Sequence, residues 1–237
     1  MANRRDFLLA LSALGLGPAA EAAGPDTIYI PDRQRETDRA VIQDFLAEYS
    51  FAMLVTTQGG LHITNVPTLF DRSGDGWGKL WWHMAKGNAQ NQAFDGQAAC
   101  TVVFHGPHSY ISPNWYGGKT SVPTWNFAVV HASGTPKRID DDAAFARSLE
   151  RLVARNEGAY GGGGNWSYSQ LPESQLKGMR QGIVAYEMVI ERIEAKFKLG
   201  QERSPADRAG ILNGLKTGRK ERGIAEFTAG YYARLKS

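Results

Sequence analysis

Alternation with a period of two dominates the middle of this chain. Over residues 124–133 it sets Trp125, Phe127, Val129 and His131 on one side and Thr124, Asn126, Ala128 and Val130 on the other, as in a strand with two unlike faces. Its bulk assigns Phe127 to the core. The β-branched run 100–104 predicts a buried strand ending in a turn at Gly106-Pro107, with a second short strand over 109–112. Pro113, Gly117, Gly118 and Pro123 punctuate the connection between these runs and the long strand. Upstream, 51–57 and 61–70 flank Gly59-Gly60 and predict a hairpin. Strands are also expected at 79–84 and 182–190. The cleanest alternation is at 193–199, where Ile193, Ala195, Phe197 and Leu199 face in and Glu194, Lys196 and Lys198 face out.

Helical spacing is confined to a few segments. A helix starting near Thr37, with Thr37 or Asp38 as N-cap, would bury Val41, Ile42, Phe45, Leu46 and Tyr49. A second over 140–157 would bury Phe145, Leu149, Leu152 and Val153. Ser204-Pro205-Ala206-Asp207 starts another, with Ser as N-cap and Pro at the first helical position. Within 220–236, Ile224, Phe227, Tyr231 and Leu235 form one helical face, whose basic, exposed setting suggests packing on a partner subunit. Strands at short spacing with few peripheral helices predict a mainly β, α+β chain: an antiparallel barrel rather than a βαβ sheet.

The first 22 residues read as an address. Arg4-Arg5 precedes the apolar run 8–16, and Ala20-Glu21-Ala22 offers a small-x-small cleavage site, a pattern that resembles a bacterial twin-arginine signal. The expectation is export to the periplasm by the twin-arginine machinery, a domain over 26–215 and a C-terminal helix over 216–237. A net charge of +3, with basic residues scattered, gives no nucleic-acid footprint. The one cysteine, Cys100, cannot form an intrachain disulfide, and its apolar strand makes it an inert core thiol.

Candidate chemistry gathers where aromatic residues meet loops. Trp115, Tyr116, Trp125 and Asn126 lie in or beside the 113–123 connection, a setting in which planar ligands are held. After the strand at 79–82, His83-Met84-Ala85-Lys86-Gly87-Asn88 offers a cation, a glycine and an amide donor, a set suited to a phosphate. The glycine run 158–164 lacks a Gly-Lys-Ser/Thr ending and reads as a flexible loop. The five histidines, 62, 83, 105, 108 and 131, match no helical metal motif, and no hydrolytic triad is defensible.

GPHSYISPNWYGGK followed by VPTWNFAVVHASG, with Glu36-Thr37-Asp38, the 83–88 segment and Glu194-Ala195-Lys196-Phe197-Lys198-Leu199, resembles the PaiB-like FMN-binding family of negative transcriptional regulators. The likeness runs from Tyr29 to about Leu215. It implies the flavin-binding split β-barrel, FMN as cofactor, and a homodimer with FMN at its interface. It also implies cofactor contacts from Thr56, Asn65, His83, Lys86, Asn88, Trp115, Trp125, Asn126, Lys198 and Gln201. The chain departs from the family pattern with Lys86 for Arg, Ala89 for Pro, Gly200 for Ser and Glu202 for Asn; a carboxylate at 202 would repel a phosphate within its reach. Three functional readings stay open. One is an exported FMN-dependent oxidoreductase acting with a small-molecule redox partner. The second is a transcriptional regulator, although no helix-turn-helix is recognisable and export would separate the protein from DNA. The third is a flavin-free barrel holding haem or another planar ligand between Trp115, Trp125 and the histidines.

Overall fold

The structure, a computed structural model, describes residues 26–73, 76–117, 121–162, 166–217 and 222–234. The arginine pair, apolar run and alanine site of residues 1–22 lie outside them. The strands are β1 (Phe51–Thr56), β2 (His62–Asp71), β3 (Lys79–Ala85), β4 (Cys100–Ile111), β5 (Thr124–Gly134), β6 (Lys137–Arg138), β7 (Ile183–Val189) and β8 (Arg192–Lys198). They form one antiparallel sheet in the order β6-β7-β3-β2-β1-β4-β5-β8. The sheet curls at β2, which pairs with β1 through its first half up to Pro67 and with β3 from Thr68 onward. The antiparallel barrel expected from the alternation is therefore present.

The concave face is the core. Leu54, Leu80, Val102, Phe104, Ala128, Val130 and Phe197 are fully buried there in one cluster. Helix α1 (Arg39–Glu48) starts at Asp38, whose carboxylate accepts from the amides of Ala40 and Val41, and drives Phe45 and Leu46 into that cluster. Helix α2 (Asp142–Tyr160) lies on the opposite face of the β3–β7 half, where Phe145 and Leu149 pack with Ile139 and Ala185. Helix α3 (Glu173–Gly182) fully buries none of its residues; its apolar side is only Leu176 and Met179, too short a stripe to betray it in the sequence. Helices α4 (Pro205–Thr217) and α5 (Arg222–Arg234) close one end of the barrel.

Four expectations need correction. Gly106-Pro107 does not end a strand: β4 runs through it, with a shift of register between His105 and His108. Such a bulge leaves one residue unpaired and tolerates a proline, which has no N–H to give. Gly106 also sits so close to the Phe45 ring that a β-carbon would collide with it, which ties the bulge to α1. Phe127 is only half-buried on the convex face, because the core positions of β5 go to Asn126, Ala128, Val130 and Ala132. Glu194 is 3% exposed, held by Arg192 and by the Thr27 amide and hydroxyl. Helix α5 packs on its own barrel, with the Phe227 ring 5.3 Å from that of Phe197 and Ile224 buried. Cys100 is buried as expected, and burial pushes its thiol up to about 12.

Candidate functional site

The convex face of β1, β4 and the first half of β2 is uncovered, unlike that of β3 and β7 beneath α2, while over β5 and β8 residues 27–29 cover Val129 and Glu194 and leave the Trp125 end open. Phe51, Ile63 and Trp125 are 68%, 55% and 51% exposed on it. Large apolar side chains left in water on one sheet face mark a binding surface rather than a core.

The chemistry of this face concentrates at one end of β5 and β8. Phe127 is paired with Lys198, and Val129 with Lys196. Lys198 Nζ donates to Thr124 Oγ1 at 2.7 Å, which fixes its charge beside Trp125. Lys196 Nζ donates to the Tyr29 carbonyl at 2.7 Å and lies 5.5 Å from the centroids of Tyr29 and Phe127. Desolvation, and secondarily the Lys198 charge, lowers the Lys196 pKa. Trp125 meets Tyr110 edge-on at 6.1 Å and lies 6.3 Å from His108. The bulge makes this grouping possible. Three positions apart in a regular strand, His105 and His108 would point to opposite faces, yet their rings stand 5.7 Å apart. A fixed cation beside a half-exposed indole, with a second lysine farther along the face, suits a flat ligand carrying an anionic tail, which is the chemistry of FMN.

A second group lies at the hairpin end, with Asn65 on the same face and the Lys86 turn anchored on Thr64, whose side chain points to the other face. Asn65 is exposed on the β1–β2 hairpin, opposite Met53. The turn bearing exposed Lys86 is tied to that hairpin by Asn88, whose Nδ2 donates to Thr64 Oγ1 at 3.0 Å. Register carries Asn65 across Met53 and Val103 to His131. From His131 to Trp125 is roughly 20 Å along β5, and the hairpin lies about 14 Å across the sheet from β5. Within one chain, Asn65 and Lys86 do not meet Trp125 and Lys198.

The remaining predicted positions have structural partners. Thr56 is 2% exposed and its hydroxyl accepts from Gln90 Nε2 at 3.2 Å. Asn88 caps the short helix at Ala89–Ala93 through the Gln90 amide. His83 faces α2 beside Ser148 and Leu152, and burial lowers its pKa. Trp115 packs its ring against α4 at Gly214, a contact a β-carbon there would forbid. Asn126 points inward, away from Trp125, and its buried Nδ2 has no partner among the described residues. The Gln201 amide is occupied by Leu199 N, Arg33 O and Phe197 O. Gly200 has φ +75°, a left-handed conformation that favours glycine, so the exchange for serine follows the backbone.

Sequence reasoning missed Gln90, 1% exposed, whose Nε2 also reaches the carbonyls of Leu54 and His62 at 3.3 and 3.4 Å. It missed the clasp in which Thr27 Oγ1 bonds both His131 Nδ1 and Glu194 Oε2 at 2.7 Å. Neither has a local signal, since the partners are far apart in the chain. His108 could have been found by reading Gly106-Pro107 as a bulge between alternating runs.

Residues 28–192 match the family model described as "Putative FMN-binding domain". The chain is 34% identical to Protease synthase and sporulation protein PAI 2 of Bacillus subtilis over 191 residues, which covers 79% of this chain and 89% of that one. Among solved structures it resembles the flavocytochrome Anf3 from Azotobacter vinelandii, with TM-score 0.54 and 16% identity over 78% of this chain and 80% of the other. The FAD and haem binding protein from Mycobacterium smegmatis matches with TM-score 0.50 and 18% identity, over 70% and 73%. The curled sheet with peripheral helices is the flavin-binding split barrel.

Proposed function

The chain belongs to this FMN-binding domain family, and from that premise we propose that it binds FMN between two copies of itself, on the uncovered convex face. The observation that carries the reading is the separation on that face of Trp125 with Lys198 at one end from Asn65 at the other, where the turn bearing Lys86 adjoins the hairpin. A two-fold axis through the face reverses the strands of the second copy and brings one copy's Trp125 end to the other's hairpin end. Phe51, Met53, Val55 and Val103 lie on the face between them and supply apolar surface for the pairing. In this arrangement Lys198 and Lys86 offer charge to the phosphate, Trp125 packs on the ring, and Asn65 offers an amide at its edge.

Bound FMN would supply transfer of a hydride or of single electrons. The chain's own part is to orient the ring, neutralise the phosphate, and exclude water by pairing the two faces. We assign the protein as an oxidoreductase for a small donor or acceptor, exported on residues 1–22. A reporter fused to residues 1–30 that is still exported after Arg4-Arg5→Lys-Lys would remove the twin-arginine assignment.

Purified mixed dimers test the shared site. A Lys198→Ala chain paired with an Asn65→Ala/Lys86→Ala chain has one site with both defects and one intact, and should recover about half the wild-type FMN capacity. Mixed dimers that bind no better than either parent would overturn the arrangement.

A further inference from the structure

A cleft of about 600 Å³ opens between α1 and α5, away from the convex sheet face, and no role in the flavin reading falls to it. Its volume lies within the roughly 300–1,000 Å³ range of small-molecule sites. Its wall is aromatic: Phe45, Tyr49, Phe197, Phe227 and Tyr231 line it, with ring centroids 4.6 Å apart for Phe45–Tyr49, 5.3 Å for Phe197–Phe227 and 5.8 Å for Phe197–Tyr231. Tyr49, Phe227 and Tyr231 are each only partly buried, so the rings present faces and edges to whatever enters.

Charge at the rim narrows the ligand class. Arg72 is paired with Asp44, and Arg234 donates to Glu36 and lies over the Tyr231 ring. Arg155 differs. It is half-buried and donates Nη1 to the neutral Ser50 hydroxyl at 2.9 Å, and among the described residues no carboxylate stands within ion-pair distance of it. The carboxylates of Glu48 and Glu226 also line the cleft, but both residues are exposed and water satisfies them. A half-desolvated guanidinium gains far more from an incoming anion than an exposed carboxylate gains from a cation.

We propose that this cleft is a second ligand site, which takes a small planar aromatic carboxylate with its ring on the Phe45–Phe227 wall and its carboxylate on Arg155. Gly230 provides a clean test. It lines the cleft on α5, and a β-carbon built there meets nothing within 4 Å, so Gly230→Leu has room to start its side chain at the cleft and has better helix propensity. The probes are 2-naphthoate and the uncharged 2-naphthamide, titrated by calorimetry into the FMN-free full chain. Wild type should bind 2-naphthoate, Arg155→Gln should bind it about tenfold more weakly, and Gly230→Leu should lose binding while melting no lower than wild type. The naphthamide should bind the wild type and Arg155→Gln equally. Absence of 2-naphthoate binding to wild type, or equal binding to the Gly230→Leu chain, would overturn the proposal. FMN binding should be unchanged in both variants, so failure here is separable from failure of the flavin site.

Discussion

Lys198 Nζ donates to Thr124 Oγ1 across the end of the β5–β8 ladder, one residue before the exposed indole of Trp125. The bond holds a cation where a long, flexible side chain would otherwise sweep through solvent. Because the partner is neutral, the charge remains available to an anion. Lys198→Gln should therefore weaken FMN binding about tenfold or more and leave the melting temperature nearly unchanged, as read by flavin fluorescence titration and thermal unfolding.

Phe51 and Ile63 stand exposed on the convex face. If that face pairs with a second copy, Phe51→Glu and Ile63→Glu each bury a carboxylate against apolar surface. Each should shift the protein to monomer in light scattering at micromolar concentration and lower FMN affinity with it. A variant that stays dimeric places the interface elsewhere.

Gln90 ties together β1, β2 and the Ala89–Ala93 turn through Thr56, Leu54 and His62. Gln90→Leu leaves those acceptors buried with fewer donors and should cost about 2–3 kcal/mol in chemical denaturation. Because Gln90 is bonded to both strands of the hairpin that carries Asn65, FMN affinity should fall as well.

Much of this architecture is legible in the sequence. Period-two alternation marks β5 and β8, Gly59-Gly60 marks the β1–β2 hairpin, and Asp38 marks the start of α1, because each depends on neighbours in the chain. What depends on distant residues is not legible. Nothing near Glu194 announces that Thr27, from the start of the described chain, will cap its carboxylate and bury it. Nothing near Gly106-Pro107 distinguishes a bulge from a turn until Phe45 is seen packed against it. The candidate site follows the same division. The residue types at Trp125, Lys198, Asn65 and Lys86 are visible, but the placing of Trp125 and Lys198 at one end of a face and Asn65 at the other is a property of register. The inward turn of Asn126, next to outward Trp125, needed only the strand alternation.

His83 and His131 are both held below the ordinary value of 6.5, in each case first by burial; for His131 the Glu194 charge opposes the shift. Their neutral forms are favoured in the folded state, so the unfolded chain takes up protons first as pH falls. Their contribution is complete above about 6.5 and is lost as pH falls through the lower folded values. The melting temperature should drop between pH 7.5 and 5.5, and His83→Gln should flatten part of that slope. A profile that is flat or rises toward acid would contradict the burial of both rings.

The most direct measurement is a titration of the apoprotein with FMN, followed by flavin fluorescence and visible absorption, with mass determined by light scattering on the same sample. Saturable uptake approaching one FMN per chain by a dimer is the predicted result. A folded protein that leaves FMN fluorescence unquenched, or that binds it as a monomer, would contradict a flavin held between two convex faces.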